Sequence, residues 1–331
     1  MLNSSFIITR YSADHKSLWD DTVRKVRQQS FLFFRDFMDY HKDRFVDISL
    51  IVFDKHNNAI ALFPANISNK DSAHIESHGG LTYGGLLLTE QVTTKMTDDI
   101  FHEIIELYKS LGYTSLSYKP VPHIYHVQPV EEDLYALFRY NASLETRAVS
   151  SVIDIENPIS FSTLRKRKVK KADRLFQYME AKTSKAVGDF WTILNEVLQE
   201  RHKTKPVHSL IELQYLISKF PNEISLFVAT KKQDMGSQDD IVAGCILFMM
   251  PRVIHVQYIA SNDEGRESGA LDGLFSYLIR SIKEKHTQKL YFDFGISTEN
   301  HGLYLNEGLI FQKEGYGGRA ICYDSYRLNI K

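Results

Sequence analysis

Asp293 and Glu299 lie on either side of the end of an apolar run, Tyr291–Phe294. Open α/β sheets bind ligands at strand ends, and a carboxylate there can take a proton from a substrate amine or orient it. Carboxylates at strand ends also cap turns. Gly269 and Ala270 open a long periodic apolar segment. The unbonded N–H groups and positive dipole end of a helix start suit phosphate there, and a plain turn fits equally. Arg165–Lys171 has six cations in seven residues, Arg167 among them. Such a run is either a solvated helix face or a polyphosphate clamp, in which Arg gives bidentate contacts and Lys point charge. His202 and His208, with Arg201, Lys203 and Lys205, line either an acceptor pocket or a solvated inter-helix loop. A six-residue spacing across Pro206 fits no standard metal geometry. Tyr83 within Gly79–Gly85 and Tyr316 between Gly315 and Gly317 mark shaped loops that either face a ligand or form tight turns. No Cys–His or Ser–His–Asp arrangement is evident, so direct attack is expected rather than a covalent enzyme intermediate.

The elements that must position these residues follow from periodicity. The first half predicts a helical region over about Asp14–Tyr40, strands at Ile48–Phe53 and Ala59–Ile67, and a helix over Thr93–Leu111. A strand at Thr114–Tyr118, a short helix near Glu132–Tyr140 and a strand at Arg147–Ile155 complete it. The second half predicts helices at Phe190–Arg201 and Ser209–Ser218 and strands at Ile224–Thr230, Val242–Met250 and Val253–Ala260. A long helix over Gly269–Lys285 and a strand at Leu290–Phe294 come next. A short helix near Asn300–Asn306 and strands near Leu309–Lys313 and Arg319–Leu328 close the chain. The halves repeat in letters too: Ile48-Ser49-Leu50 matches Ile224-Ser225-Leu226, and the strands opening at Thr114 and Leu290 share that offset. The reading is an α/β fold with mixed sheets and two copies of one unit, 1–156 and 157–331.

Composition bounds the class. The 331 residues suggest about two domains at roughly 150 residues each. Forty Lys and Arg against 41 Asp and Glu leave a formal net charge of −1, so no global field drives DNA binding. Cys245 and Cys322 are too few for a disulfide framework, fit no metal spacing and read as buried thiols. No segment reaches the roughly 18 apolar residues of a membrane span, and no signal-peptide pattern opens the chain. The expectation is a cytoplasmic protein without a metal.

The second half carries short motifs in a particular order. Tyr291-Phe292-Asp293-Phe294-Gly295 precedes Lys313-Glu314-Gly315-Tyr316-Gly317, and the linker reads Arg167-x-Val169-x-Lys171-Ala172. These resemble the FemABX peptidoglycan-bridge family and its acyltransferase relatives, which are tandem GNAT-fold proteins. Leu303-Tyr304-x-x-x-Gly308-Leu309 is similar to a GNAT helix motif, with Leu for the usual Phe. Arg266-x-x-Gly269-Ala270-Leu271 is similar to the GNAT pyrophosphate loop, but Leu271 stands where a small residue is usual. The resemblance implies two tandem GNAT-like domains and N-acyl transfer to an amine in the second. The donor it implies is acyl-CoA, held by Arg266, Gly269 and Ala270, with aminoacyl-tRNA second. Tyr304 would protonate the leaving group, Asp293 or Glu299 would act as base, and Lys313 would stabilise developing charge. Arg167, His208, Tyr316 and Tyr83 would contact substrate, an amine on a small molecule, a nucleotide-linked sugar or a cell-envelope precursor. A non-catalytic binding module on the same fold is the rival, supported by Leu271.

Overall fold

Two packing units divide the chain. Met1–Ala148 joins Thr298–Tyr304 and Cys322–Lys331 in unit 1, and Val149–Ser297 joins Leu305–Ile321 in unit 2. The computed structural model describes residues 6–232, 240–285 and 288–330, without the side chains of residues 201, 202 and 285. In chain order, unit 1 holds β1 (Ile7–Arg10), α1 (Lys16–Val23), α2 (Arg35–Met38), β2 (Val46–Asp47), β3 (Leu50–Phe53), β4 (Ala59–Phe63), β5 (Asn66–Ile67), β6 (His74–Glu76) and β7 (Leu87–Leu88). There follow α3 (Thr94–Ser110), β8 (Ser115–Tyr118), α4 (Glu132–Arg139) and β9 (Ser143–Asp154), which crosses from unit 1 into unit 2. Unit 2 continues with α5 (Thr163–Leu175), β10 (Phe176–Ala181), α6 (Ser184–His202), α7 (Leu210–Lys219), β11 (Ile224–Lys231), β12 (Ile241–Met249), β13 (Val253–Ser261), α8 (Asp263–Ser268), α9 (Ala270–Lys285) and β14 (Tyr291–Ile296). The chain ends with β15 (Thr298–Glu299), β16 (Tyr304–Leu305), α10 (Glu307–Gly315) and β17 (Arg319–Asn329).

In unit 1, β1, β3, β4 and β7 form one antiparallel sheet. In a second, β2, β5 and β6 run antiparallel, β6 pairs parallel with β8, and β8 pairs antiparallel with the end of β17. Helix α3 shows why the segment folds as it does. The Thr93 hydroxyl accepts from the Met96 N–H at its start, and Ile100, Phe101, Ile104, Ile105 and Tyr108 bury one stripe. That stripe joins Leu50, Val52, Phe63, Leu116, Leu328 and Ile330 in the unit 1 core.

In unit 2, β10 to β13 form an antiparallel run, β13 pairs parallel with β14, and β14 pairs antiparallel with the second half of β9. The parallel step needs a crossover, which α8 and α9 supply. Leu274, Phe275 and Leu278 of α9 pack on Ile254, Phe292, Phe294 and Tyr316. The Phe275–Phe294 and Phe294–Tyr316 rings lie 5.1 and 5.5 Å apart. Each such pair adds roughly 0.5–1.5 kcal/mol beyond burial alone.

The 176-residue offset aligns β8 with the start of β14 and β3 with Leu226–Ala229 of β11. In both units an antiparallel strand, a parallel pair and another antiparallel strand follow in that order. The boundaries differ from two contiguous halves. Unit 2 begins at Val149 inside β9, and residues 322–331 return to unit 1, where Tyr326↔Tyr118 and Leu328↔Leu116 pair. Three local expectations are corrected. Residues 307–315 form helix α10 rather than an edge strand, because the Asn306 side chain caps it by accepting from Leu309 N–H. The short helix expected over 300–306 shrinks to a single 3-10 turn, Asn300–Gly302, with φ positive at all three residues, and Tyr304–Leu305 form β16. Cys245 is buried but Cys322 is exposed.

Candidate active site in unit 2

The β13–β14 ladder holds three pairs: Val253↔Tyr291, Ile254↔Phe292 and His255↔Asp293. Both strands run on, β13 to Ser261 and β14 to Ile296, so they part as a fork beyond the third pair. Bulges adjoin the fork on both sides. Gln257 is the extra residue of β13 against Ile246 and Leu247 of β12. On β14 the register against β9 shifts between Asp293 and Ile296. Such bulges bend strands and re-aim side chains and backbone amides.

The last pair before the fork is polar. Asp293 is fully buried, and its Oδ2 accepts from His255 Nδ1 at 3.0 Å. Its Oδ1 accepts from the Ser150 hydroxyl and from Gly295 N–H at 2.8 Å. With Nδ1 donating to Asp293, the lone pair of the His255 ring resides on Nε2. From α10, Lys313 sends Nζ to the carbonyl oxygens of Gly295 and Ile296, each at 2.8 Å. Gly295 has φ +76°, and one bend turns its N–H to Asp293 and its carbonyl to Lys313. A side chain there would be strained, and its Cβ would lie 3.5 Å from His255 Cε1. Burial pushes the Lys313 ammonium down to about 8, and the Asp293 carboxylate opposes that shift. The hydroxyls of Ser151 and Ser297 are buried with no hydrogen-bond partner among the described residues.

Beside this cluster the basic run forms α5. Arg165 points inward to a buried ion pair with Asp272 at 2.9 Å, its guanidinium carbon 4.9 Å from the Tyr316 ring centre. It serves the unit 2 core and is not available to phosphate. Lys166, Arg167, Lys170 and Lys171 are exposed. Lys171 Nζ donates to the Glu267 carbonyl of α8, and a Cβ on Gly269 would lie 3.3 Å from Lys168 Cβ. The structure thus brings the cationic face of α5 to the α8–α9 junction.

That junction differs from the expected phosphate loop. Gly269, with φ +75°, caps the C-terminus of α8, and its N–H bonds back to Arg266 and Gly265 carbonyls. Arg266 pairs with Asp263 one turn away. Ala270 is buried, and Leu271 packs against the apolar clusters, which explains its size. His208 is buried too, with Nδ1 2.6 Å from the Tyr258 hydroxyl. Tyr316 packs at 1% exposure and is a core ring, not a substrate contact. In unit 1, Tyr83 is likewise buried, 4.8 Å from Tyr125 and 6.0 Å from Phe33, so its loop does not present it to a ligand. Glu299 lies exposed in β15, and Tyr304 is 57% exposed in β16, outside any helix. The side chains of Arg201 and His202 lie outside the described residues.

Sequence reasoning missed His255, Ser150 and the Arg165–Asp272 pair. The signal for His255 was a polar ring inside the otherwise apolar start of β13.

No family model matches the sequence, and neither does any curated protein. Solved structures do match in fold. FemX superposes with a TM-score of 0.67 at 9% identity, covering 97% of this chain and 96% of its own. The C-terminal domain of a protein described as a lysylphosphatidylglycerol synthetase from Agrobacterium fabrum gives 0.61 at 12% identity, covering 95% and 91%. A tandem GNAT protein from the clavulanic acid biosynthesis pathway gives 0.50 at 8% identity, covering 98% and 99%. The chain therefore has the tandem GNAT fold. Within that class it shares the architecture of FemX over nearly its full length.

Proposed function

We propose that this protein is an N-acyltransferase whose reaction centre is the β13–β14 fork of unit 2. The observation that carries the reading is the last ladder pair, His255↔Asp293, placed where the strands part, with Lys313 fixing the adjoining bulge. An amine entering the fork gives its proton to His255 Nε2 while its nitrogen attacks the acyl carbonyl carbon. Asp293 holds the imidazole tautomer and balances the imidazolium. Backbone N–H groups of β13 beyond the fork face the developing oxyanion, in a site shielded by the unit 2 core. As the bond from carbonyl carbon to carrier breaks, the imidazolium returns the proton to the leaving sulfur or oxygen.

The donor carries phosphate, since exposed Lys166, Arg167 and Lys170 line α5 beside the α8–α9 junction. Acyl-CoA is the first reading, supported by the fold shared with a tandem GNAT protein. Aminoacyl-tRNA is the second. It is favoured by the internal bonding of Gly269 N–H, which leaves the cations of α5 as the main phosphate contacts. The acceptor is an amine on a small molecule or a cell-envelope precursor. Titration calorimetry with acetyl-CoA and with charged tRNA, followed by amine-dependent release of thiol or free tRNA, tests this. Binding of one donor with release that is lost in His255→Gln supports the reading. Failure of both donors to bind leaves the rival, a binding module on the same fold.

A further inference from the structure

Helix α7 turns Leu213 and Leu216 into the unit 2 core, where both are fully buried. Its opposite face is expected to be polar. Instead Ile211 is 79% exposed and Tyr215, one turn on, 41% exposed. Four residues before Ile211, Val207 is 75% exposed. Val207 in the loop before the helix, with Ile211 and Tyr215 one turn apart on it, puts three exposed apolar side chains within nine residues, more than the scattered apolar surface of an ordinary domain.

The charges around them are mostly positive. Lys203 and Lys205 are exposed just before Val207, and Lys219 closes the helix with its ammonium 5.7 Å from the Tyr215 ring centre. Neither Lys203 nor Lys205 pairs with a carboxylate among the described residues. The acid within the helix, Glu212, is committed to its cap, where its carboxylate accepts from Ser209 N–H at 2.6 Å. The start of α7 is anchored: His208 is tied to Tyr258 of β13, and Ser209 closes a capping box. A fixed apolar strip flanked by unpaired lysines matches a surface that is apolar inside and anionic outside.

We infer that the 203–219 segment docks this protein on an anionic lipid bilayer, with Val207, Ile211 and Tyr215 entering the headgroup boundary and Lys203, Lys205 and Lys219 facing lipid phosphates. Apolar insertion and lysine attraction act together in such helices. The inference stands apart from the acyl-transfer reading, although the Tyr258 anchor would set the docked surface close to the fork.

Cosedimentation of the full chain with phosphatidylcholine vesicles, with and without phosphatidylglycerol, tests it. Binding is expected only with phosphatidylglycerol and should weaken as salt rises. Ile211→Asn should lower the partition coefficient roughly ten-fold or more. Lys203→Ala and Lys205→Ala should each lower it roughly five-fold. All three side chains are exposed, so a thermal melt should match the parent protein and exclude misfolding. Equal binding to both vesicle types, no binding to either, or binding untouched by these variants overturns the inference. So does light scattering that shows a dimer dissociated by Ile211→Asn, since the face would then belong to a second copy of the chain.

Discussion

Unit 1 and unit 2 build the same parallel ladder and finish it differently. In unit 1 the three pairs of β6 and β8 end at Glu76↔Ser117, and the chain then folds back into the gap. Ser77 N–H donates to the Ser117 carbonyl, Lys119 N–H to the Ser77 hydroxyl, Gly84 N–H to the Lys119 carbonyl, and Leu86 N–H to the Tyr118 hydroxyl. In unit 2 the three pairs end at His255↔Asp293, and β13 simply continues. Each fork has a lysine, Lys313 buried and Lys119 half-buried. Lys119 donates to the Leu81 carbonyl of the filling loop, and burial pushes it down to about 8. Lys313 instead braces the bulge of β14. A parallel pair that parts leaves backbone amides unclaimed, and buried amides must find partners. Unit 1 satisfies them with its own residues 77–86, whereas the proposed reaction sets a substrate against those of unit 2.

The sharpest way to break this comparison is to exchange roles at the third pair. His255→Gln should lower kcat roughly 100- to 10,000-fold, the scale of a lost acid–base group. Glu76→Gln, at the matching place in unit 1, should leave kcat unchanged. Steady-state rates for both variants decide the point, and an equal loss for Glu76→Gln would mean that the filled fork also reacts.

The two lysines sharpen it next. The Lys313 ammonium is complete below about pH 8 and is lost as pH rises through that value. Activity that depends on it should therefore fall on the alkaline side with a midpoint near 8. Lys313→Met should remove that limb and lower kcat roughly 100-fold, because the bend it braces would no longer hold the reacting groups in place. Lys119→Met should leave the pH–rate profile as it is, because its charge serves the unit 1 loop. A profile that changes equally in both variants would erase the distinction.

A smaller difference concerns acid. Unit 1 buries His74, His78 and His126 with their pKa values lowered by desolvation, His126 to about 4. Depressed histidines favour the fold in their neutral form. Their contribution is whole above about pH 6.5 and is lost as pH falls toward the folded value. Asp133 acts oppositely. Burial raises it to about 6, so the folded state gains a proton, and stability, as pH falls through that value. Three histidines against one carboxyl leave unit 1 the acid-sensitive part. Hydrogen exchange at pH 7 and pH 5 should show α3 and α4 losing protection before α9. His126→Gln should reduce that loss by on the order of 2 kcal/mol. Simultaneous loss in both units would contradict it.

Much of this was legible in the sequence. The 176-residue offset matched β3 to part of β11 and β8 to the start of β14, and the motif order singled out Asp293 and Lys313, which both bond at the Gly295 bend. What was hidden depended on contacts distant in sequence. The run Leu309–Lys313 has the length and apolar content of a strand, and a single cap by Asn306 made it helical. Tyr83 and Tyr316 stand among glycines, which read as ligand loops, but there the rings packed inward. His255 was overlooked because a histidine in an apolar strand gives no sign of its partner 38 residues later. The unit boundary was hidden because β17 begins in one core and ends in the other.

Tyr304 provides the finest test, because resemblance gives it the proton that the proposed reaction gives to His255. It lies in the two-residue β16, 57% exposed, and packs with unit 1 rather than with the cluster around Asp293. An exposed phenol exchanges its proton with water, and removing its hydroxyl leaves no buried group unpaired. Tyr304→Phe should therefore leave kcat and donor affinity close to those of the parent protein. The informative measurement is kcat across pH 6 to 9, in the range where a departing thiol of pKa about 8.5 feels the loss of a proton donor. A roughly ten-fold or greater fall in Tyr304→Phe would move the leaving-group proton from His255 to Tyr304.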